Sequence, residues 1–140
     1  MPLLRLWVLI LTLVMSGRVM TLAFIHRAGG ANAGDPPIHW LMPLIGDAVV
    51  GLTGLVVALL LWRRPVAASW IIALCWNVVA IWDALSAYIV SRTSPWPEFF
   101  MLQVMGPAMF FIASAMHLLI IWLLLRPALR PDFGQEAMRE

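Results

Sequence analysis

Apolar residues fill four stretches of the chain, and Pro, Gly, Arg and Ser gather in the short runs between them. Leu6 to Ile25, Leu41 to Trp62, Val66 to Val90 and Phe99 to Leu125 each reach the ~20 residues that carry an α-helix across a ~30 Å hydrocarbon core. The pattern predicts an all-α fold: a membrane-spanning antiparallel four-helix bundle, with short connections setting sequence neighbours antiparallel. It treats residues 1–127 as one transmembrane domain and 128–140 as a short cytoplasmic tail, solvated or interfacial. His26 to Trp40, with its glycines and Asp35-Pro36-Pro37, reads as a loop. Arg63-Arg64-Pro65 and Ser91 to Glu98 read as tight connections. Arg5, a short apolar run and Ser16-Gly17 also fit a secretory signal. Cleavage there would leave Val19 to Ile25 without a purpose, so an uncleaved signal-anchor helix accounts better for the N-terminal segment.

Small residues mark where helices approach in lipid, because lipid supplies no hydrophobic drive between them. In the second span Asp47, Gly51, Gly54 and Ala58 recur on one helical face, and in the third Ala73, Asn77, Ala80, Ala84 and Ala87 do. In the fourth, Gly106, Phe110, Ala113 and His117 line up, with Ser114 adjacent and Gln103 above. Each of these helices carries its polar residue on or beside its small-residue face, which points to a shared interior.

An aspartate near the centre of a bilayer costs on the order of 3 kcal/mol, so Asp83 needs a partner. With each helix centred and rising ~1.5 Å per residue, Arg18, Asp47 and Asp83 all fall ~5–7 Å outside the midplane. Asn77 falls near the middle and His117 ~6 Å toward the cytoplasm by the same arithmetic. Arg18 is therefore expected to bridge Asp47 and Asp83. One arginine against two aspartates leaves a net negative charge suited to a proton or a small cation. The competing reading is an ion-pair clasp that fixes helix register and does no chemistry.

Composition agrees with a chain solvated by lipid: 63% hydrophobic and 11% charged residues, with a mean hydropathy of +0.93. All nine basic residues are arginine. Arg5, Arg63, Arg64, Arg126, Arg130 and Arg139 fall on one side of the four-span arrangement, and Arg27 and Arg92 on the other. The positive-inside bias then places both termini in the cytoplasm, in a multi-pass protein of the bacterial inner membrane. A formal charge of +2, scattered along the chain, gives no reason to expect nucleic acid as a partner. Trp7, Trp40, Trp62 and Trp96 fit interfacial belts. Trp76 and Trp82 flank Asn77 and Asp83, as pocket wall or as lipid-facing bulk.

Candidate chemistry is sparse. His117, within reach of Ser114 one turn back, is the one deep histidine, and it lacks a facing histidine at similar depth to hold haem. His26, Asp35 and His39 are weak candidates for a metal at the outer mouth; a structural zinc site lacks its four ligands. Cys75 reads as a small apolar packing residue. No nucleophile elbow, phosphate loop or HExxH is present, so nothing marks an enzyme and no cofactor is expected.

Gly46-Asp47, Trp62-Arg63, Trp76-Asn77 with Asp83, and Pro107 with His117 resemble a pattern in small, uncharacterised bacterial four-span membrane proteins. The resemblance covers about Trp40 to Arg126 and implies the fold but no function. Small multidrug-resistance transporters are similar in size and span count, but this chain has Arg18 rather than a glutamate in its first span. The expected function is to bind or move a small ligand, ion or proton through Arg18, Asp47, Asn77, Asp83 and His117. The alternative is an accessory or assembly subunit of a larger membrane complex. Partners would be the lipid bilayer and either a second copy or that complex; an enzyme acting on lipid or isoprenoid is a distant third.

Overall fold

A computed structural model describes residues 3–32, 34–97, 104–129 and 131–134. It is all-helical, with no strand among the described residues. Helical stretches Leu3–Ile25, Ile38–Arg63 and Ala67–Thr93 are long and apolar enough to cross a membrane.

The first stretch is three pieces: α1 (Leu3–Met15), a 3-10 segment (Ser16–Thr21) and α2 (Leu22–Ile25). The sequence pattern had one continuous helix here. The tightening begins where hydroxyls compete for backbone carbonyls: Thr12 donates to Val8 O and Ser16 to Thr12 O, each at 2.8 Å. Gly17, a weak helix former, follows at once. Arg18 thus emerges from a 3-10 turn rather than from a regular helix.

Helix α3 (Leu41–Arg63) follows the expected second span, and Pro43 sits in its first turn, where a missing N–H is tolerated. Helix α4 (Ala67–Thr93) opens on Ser69, whose hydroxyl accepts from Val66 N–H at 3.0 Å and donates to Arg64 O at 2.6 Å. The expected fourth span, Phe99 to Leu125, is not one continuous helix. Gly106 takes a positive φ of 55° ahead of Pro107, and α5 runs only over Ala108–Leu124. Proline supplies no N–H and disfavours α geometry in the residue before it, so the break falls there. Gln103 lies outside the described residues.

α3 packs against α1 and the 3-10 segment on one side and α4 on the other; α4 packs on α5, and α5 returns to α1. The small-residue faces point inward: Gly51, Gly54, Ala58, Ala73, Asn77, Ala80, Ala84 and Ala87 are all buried. A Cβ at Gly51 would fall on the backbone of Arg18 and Val19, and one at Gly54 on Ser16 and Trp76. These two glycines let the 3-10 segment lie directly on α3. The opposite faces, including Val56, Val79, Trp82 and Ile89, are exposed; an outer surface that apolar suits lipid better than water. Cys75 is exposed rather than packed, because it falls between Ala73 and Trp76 on the outward side of α4.

Side chains close the helix ends. Arg5 donates to Leu61 O and Trp62 O, both at 2.8 Å, taking up carbonyls that the end of α3 leaves unpaired. The Trp70 indole does the same for Leu124 O at 2.8 Å. The packed region also extends past residue 127. Leu129 and Phe133, on short proline-led 3-10 turns, are buried in the same apolar core as Leu61 and Ile120. Their side chains are apolar and the core is within reach, so this part of the chain packs instead of trailing into solvent.

Candidate functional site

Arg18, Asp47 and Asp83 come together from three separate elements. Arg18 Nε donates to Asp47 Oδ1 at 2.5 Å. Nη2 donates to Asp83 Oδ2 at 2.5 Å and also reaches Asp47, while Nη1 approaches Ala80 O at 3.4 Å. The side chains are largely withdrawn from the surface, at 13% exposure for Arg18, 24% for Asp47 and 16% for Asp83. The guanidinium fork makes this geometry possible, since its N–H groups leave in one plane toward different carboxylates. Asp83 reaches it only because α3 offers no side chain at Gly46, where a Cβ would collide with the Asp83 carboxylate. Thr21 adds a tie from the far side of the turn, donating to Arg18 O at 2.8 Å and lying 3.2 Å from Leu44 O.

Asn77 and His117 form a second polar unit, not joined to the first by any hydrogen bond among the described residues. Both are fully buried. Asn77 Nδ2 donates to Ala73 O at 2.8 Å, which turns its Oδ1 toward His117 Nδ1, also at 2.8 Å. A carbonyl can only accept, so the amide NH2 must face Ala73 and His117 Nδ1 must carry the proton. The His117 Nε2 is buried with no hydrogen-bond partner among the described residues. The Trp76 ring meets the imidazole edge-on at 5.1 Å, its own indole N–H engaged by Val50 O at 3.1 Å. The expected Ser114 contact does not form: Ser114 donates to Phe110 O at 2.8 Å within its own helix.

A cavity of about 910 Å³ adjoins the first cluster, between the N-terminal segment, α3, α4 and α5. Arg18, Asp47, Thr21 and Arg27 stand in a wall otherwise mostly of apolar side chains, methionines and aromatic rings among them. That volume lies within the range of small-molecule sites, and a few polar groups in an apolar lining is their usual make-up. Trp40 also lines the cavity, its indole N–H being held by Pro95 O at 2.7 Å. Compared with family models, curated proteins and solved structures, the chain matches none. The reading of the site therefore rests on its own geometry.

The loop before α3 does not gather its metal candidates. Arg27 Nε donates to Asp35 Oδ1 at 2.7 Å and the Asn32 N–H to Oδ2 at 3.0 Å, while His26 and His39 face outward. Among the described residues no three His, Cys, Asp or Glu side chains group as metal ligands. The Arg27 hydrogen bond holds the Asp35 carboxyl below the ordinary carboxylate range.

Sequence reasoning named Gly46 only within the resemblance, not as a residue of the site, and missed Thr21 and the methionines of the cavity wall. Gly46 had a signal, a residue without a side chain directly before a buried aspartate. The methionines had none, because an apolar helix shows no mark of which face meets a void.

Proposed function

We propose that this is a small multi-pass protein of a bacterial cytoplasmic membrane, an antiparallel bundle with both termini inside. It binds a small ligand in the cavity beside Arg18, Asp47 and Asp83. The observation that carries the reading is the meeting of an apolar cavity with a charged cluster that the fold does not fully neutralise. Ionisable groups at membrane depth are functional candidates by default, and here they border space rather than packed side chains. The Asn77–His117 unit, with its bare Nε2, is the natural place for a proton or hydrogen-bond donor deeper in the bundle.

The alternative, an accessory subunit with the cluster as a clasp, draws support from Arg18 itself, whose N–H groups already engage protein acceptors. Native mass spectrometry of protein released from its own membranes separates the two. A retained small molecule that disappears in Ala113→Trp, which fills the cavity from α5, supports ligand binding. A stoichiometric larger partner, with no adduct in either protein, supports the accessory role and removes the ligand reading.

A further inference from the structure

The charge and hydrogen-bonding pattern of the cavity select among ligands. Arg18 and Arg27 pair with Asp47, Asp83 and Asp35 beside it, two guanidinium groups against three carboxyl groups, so one carboxyl exceeds what the arginines match, held as a negative charge or as a proton shared between Asp47 and Asp83. Arg27 is already matched by Asp35 at the outer rim, which leaves the excess at the inner cluster. Arg18 Nε and Nη2 engage the two aspartates, Nη1 lies 3.4 Å from Ala80 O, and the Asp47 and Asp83 carboxyls also meet each other. A carboxylate offers about four lone-pair sites, and Asp47 receives Arg18 through Oδ1 while forming part of the cavity wall. Asp83 stands behind it, outside the lining. Met105 ahead of α5, Met109 and Met116 within it, and the rings of Trp40 and Phe110 supply much of the remaining surface. Thioethers adapt to irregular apolar shapes, and aromatic faces attract cations.

Resting on the ligand-binding reading, we infer that the cavity takes an amphiphile with a single cationic, hydrogen-bond-donating head, of the alkylammonium class. The head sits on Asp47 and the chain lies along the α5 methionines. An anionic head would meet the excess carboxylate, and a neutral one would leave it unmatched in a low-dielectric site.

The test is saturable binding of radiolabelled dodecylamine, protonated at neutral pH, to the protein in nanodiscs of zwitterionic lipid, with empty nanodiscs subtracted. Dodecanol and dodecyl sulfate serve as competitors. Binding of one molecule per chain is expected, weakened more than about tenfold in Asp47→Asn and lost in Ala113→Trp, whose cluster is untouched. Dodecanol competing as well as unlabelled dodecylamine, or unchanged binding in Asp47→Asn, overturns the ligand class and leaves the cavity standing. Absence of saturable dodecylamine binding overturns the ligand class, and if radiolabelled dodecanol and dodecyl sulfate also fail to bind saturably, the cavity reading falls along with it.

Discussion

Gly46→Ala tests the cluster with one methyl group placed outside it. The added Cβ would occupy the space of the Asp83 carboxylate, whose other oxygen is held by Arg18. The carboxylate must leave, or α3 must part from α4. Separating one partner from a buried ion pair costs ~3–5 kcal/mol, and alanine returns ~1 kcal/mol of helix propensity over glycine. The net expectation is a loss of about 2–4 kcal/mol. Equilibrium unfolding in mixed micelles measures it. The sharper measurement is the double-mutant cycle with Asp83→Ala. Once the carboxylate is gone the same glycine substitution meets nothing and should be neutral or mildly stabilising, giving a coupling of roughly 2 kcal/mol or more. Equal cost in both backgrounds, or no cost in the parent, would show that Asp83 does not depend on the gap at Gly46.

Three further outcomes follow from other parts of the fold. Asn77→Leu leaves the His117 Nδ1–H buried without an acceptor and should cost ~1–3 kcal/mol; adding His117→Phe should restore most of it, and a harmless Asn77→Leu would contradict the tautomer. Because the native Asp35 carboxyl titrates below its ordinary value, its grip on Arg27 and Asn32 is full above about pH 4 and fades as pH falls through the lowered native value. Protection factors of the Asn32 and Asp35 amides, which remove the intrinsic pH dependence of exchange, should then fall as the pH drops below about 4, and Asp35→Asn should show the lowered protection already at pH 6; a loop indifferent to both would refute the clasp. For orientation, a Cys75→Ala background, tolerated because that side chain faces outward, should carry a cysteine at Asn32 that labels from outside the cell and one at Arg64 that does not.

The meeting of Arg18, Asp47 and Asp83 was legible because lipid solvates charge so poorly that charges at one depth have few ways to be satisfied. The inward faces were legible for a related reason, since Gly51, Gly54, Ala73, Ala80 and Ala84 mark close approach by the lack of a side chain. What stayed hidden depended on competition among alternatives that are all locally reasonable. His117 had a plausible neighbour in Ser114, but a serine in a helix can satisfy itself on a carbonyl one turn back, as Ser114 does on Phe110. That left the histidine to Asn77, forty positions away. Gly106-Pro107 looked like part of an apolar run because hydropathy does not register a missing N–H or a positive φ. Leu129 and Phe133 were read as tail because distance along the chain says nothing about how the chain returns to the core.

The 3-10 segment decides where Arg18 points, and Gly51 decides where that segment lies. A 3-10 turn rises ~2.0 Å per residue against ~1.5 Å in an α-helix, so six residues carry the chain ~3 Å further and rotate each side chain by a different angle. Such a segment has weaker internal hydrogen bonding than an α-helix and holds its position by lying on α3, with backbone against backbone at Gly51. Gly51→Ala therefore meets main chain, which cannot swing aside as the Asp83 carboxylate can. It should destabilise more than Gly46→Ala and loosen Arg18 from both aspartates at once. Gly17→Ala, on the same segment with open space around it, should change stability by less than ~1 kcal/mol. Exchange of the Val19 amide reports the displacement directly. If Gly51→Ala unfolds no more easily than Gly17→Ala and leaves that amide as protected as before, then the segment is not held by α3, and the placement of Arg18 needs a different cause.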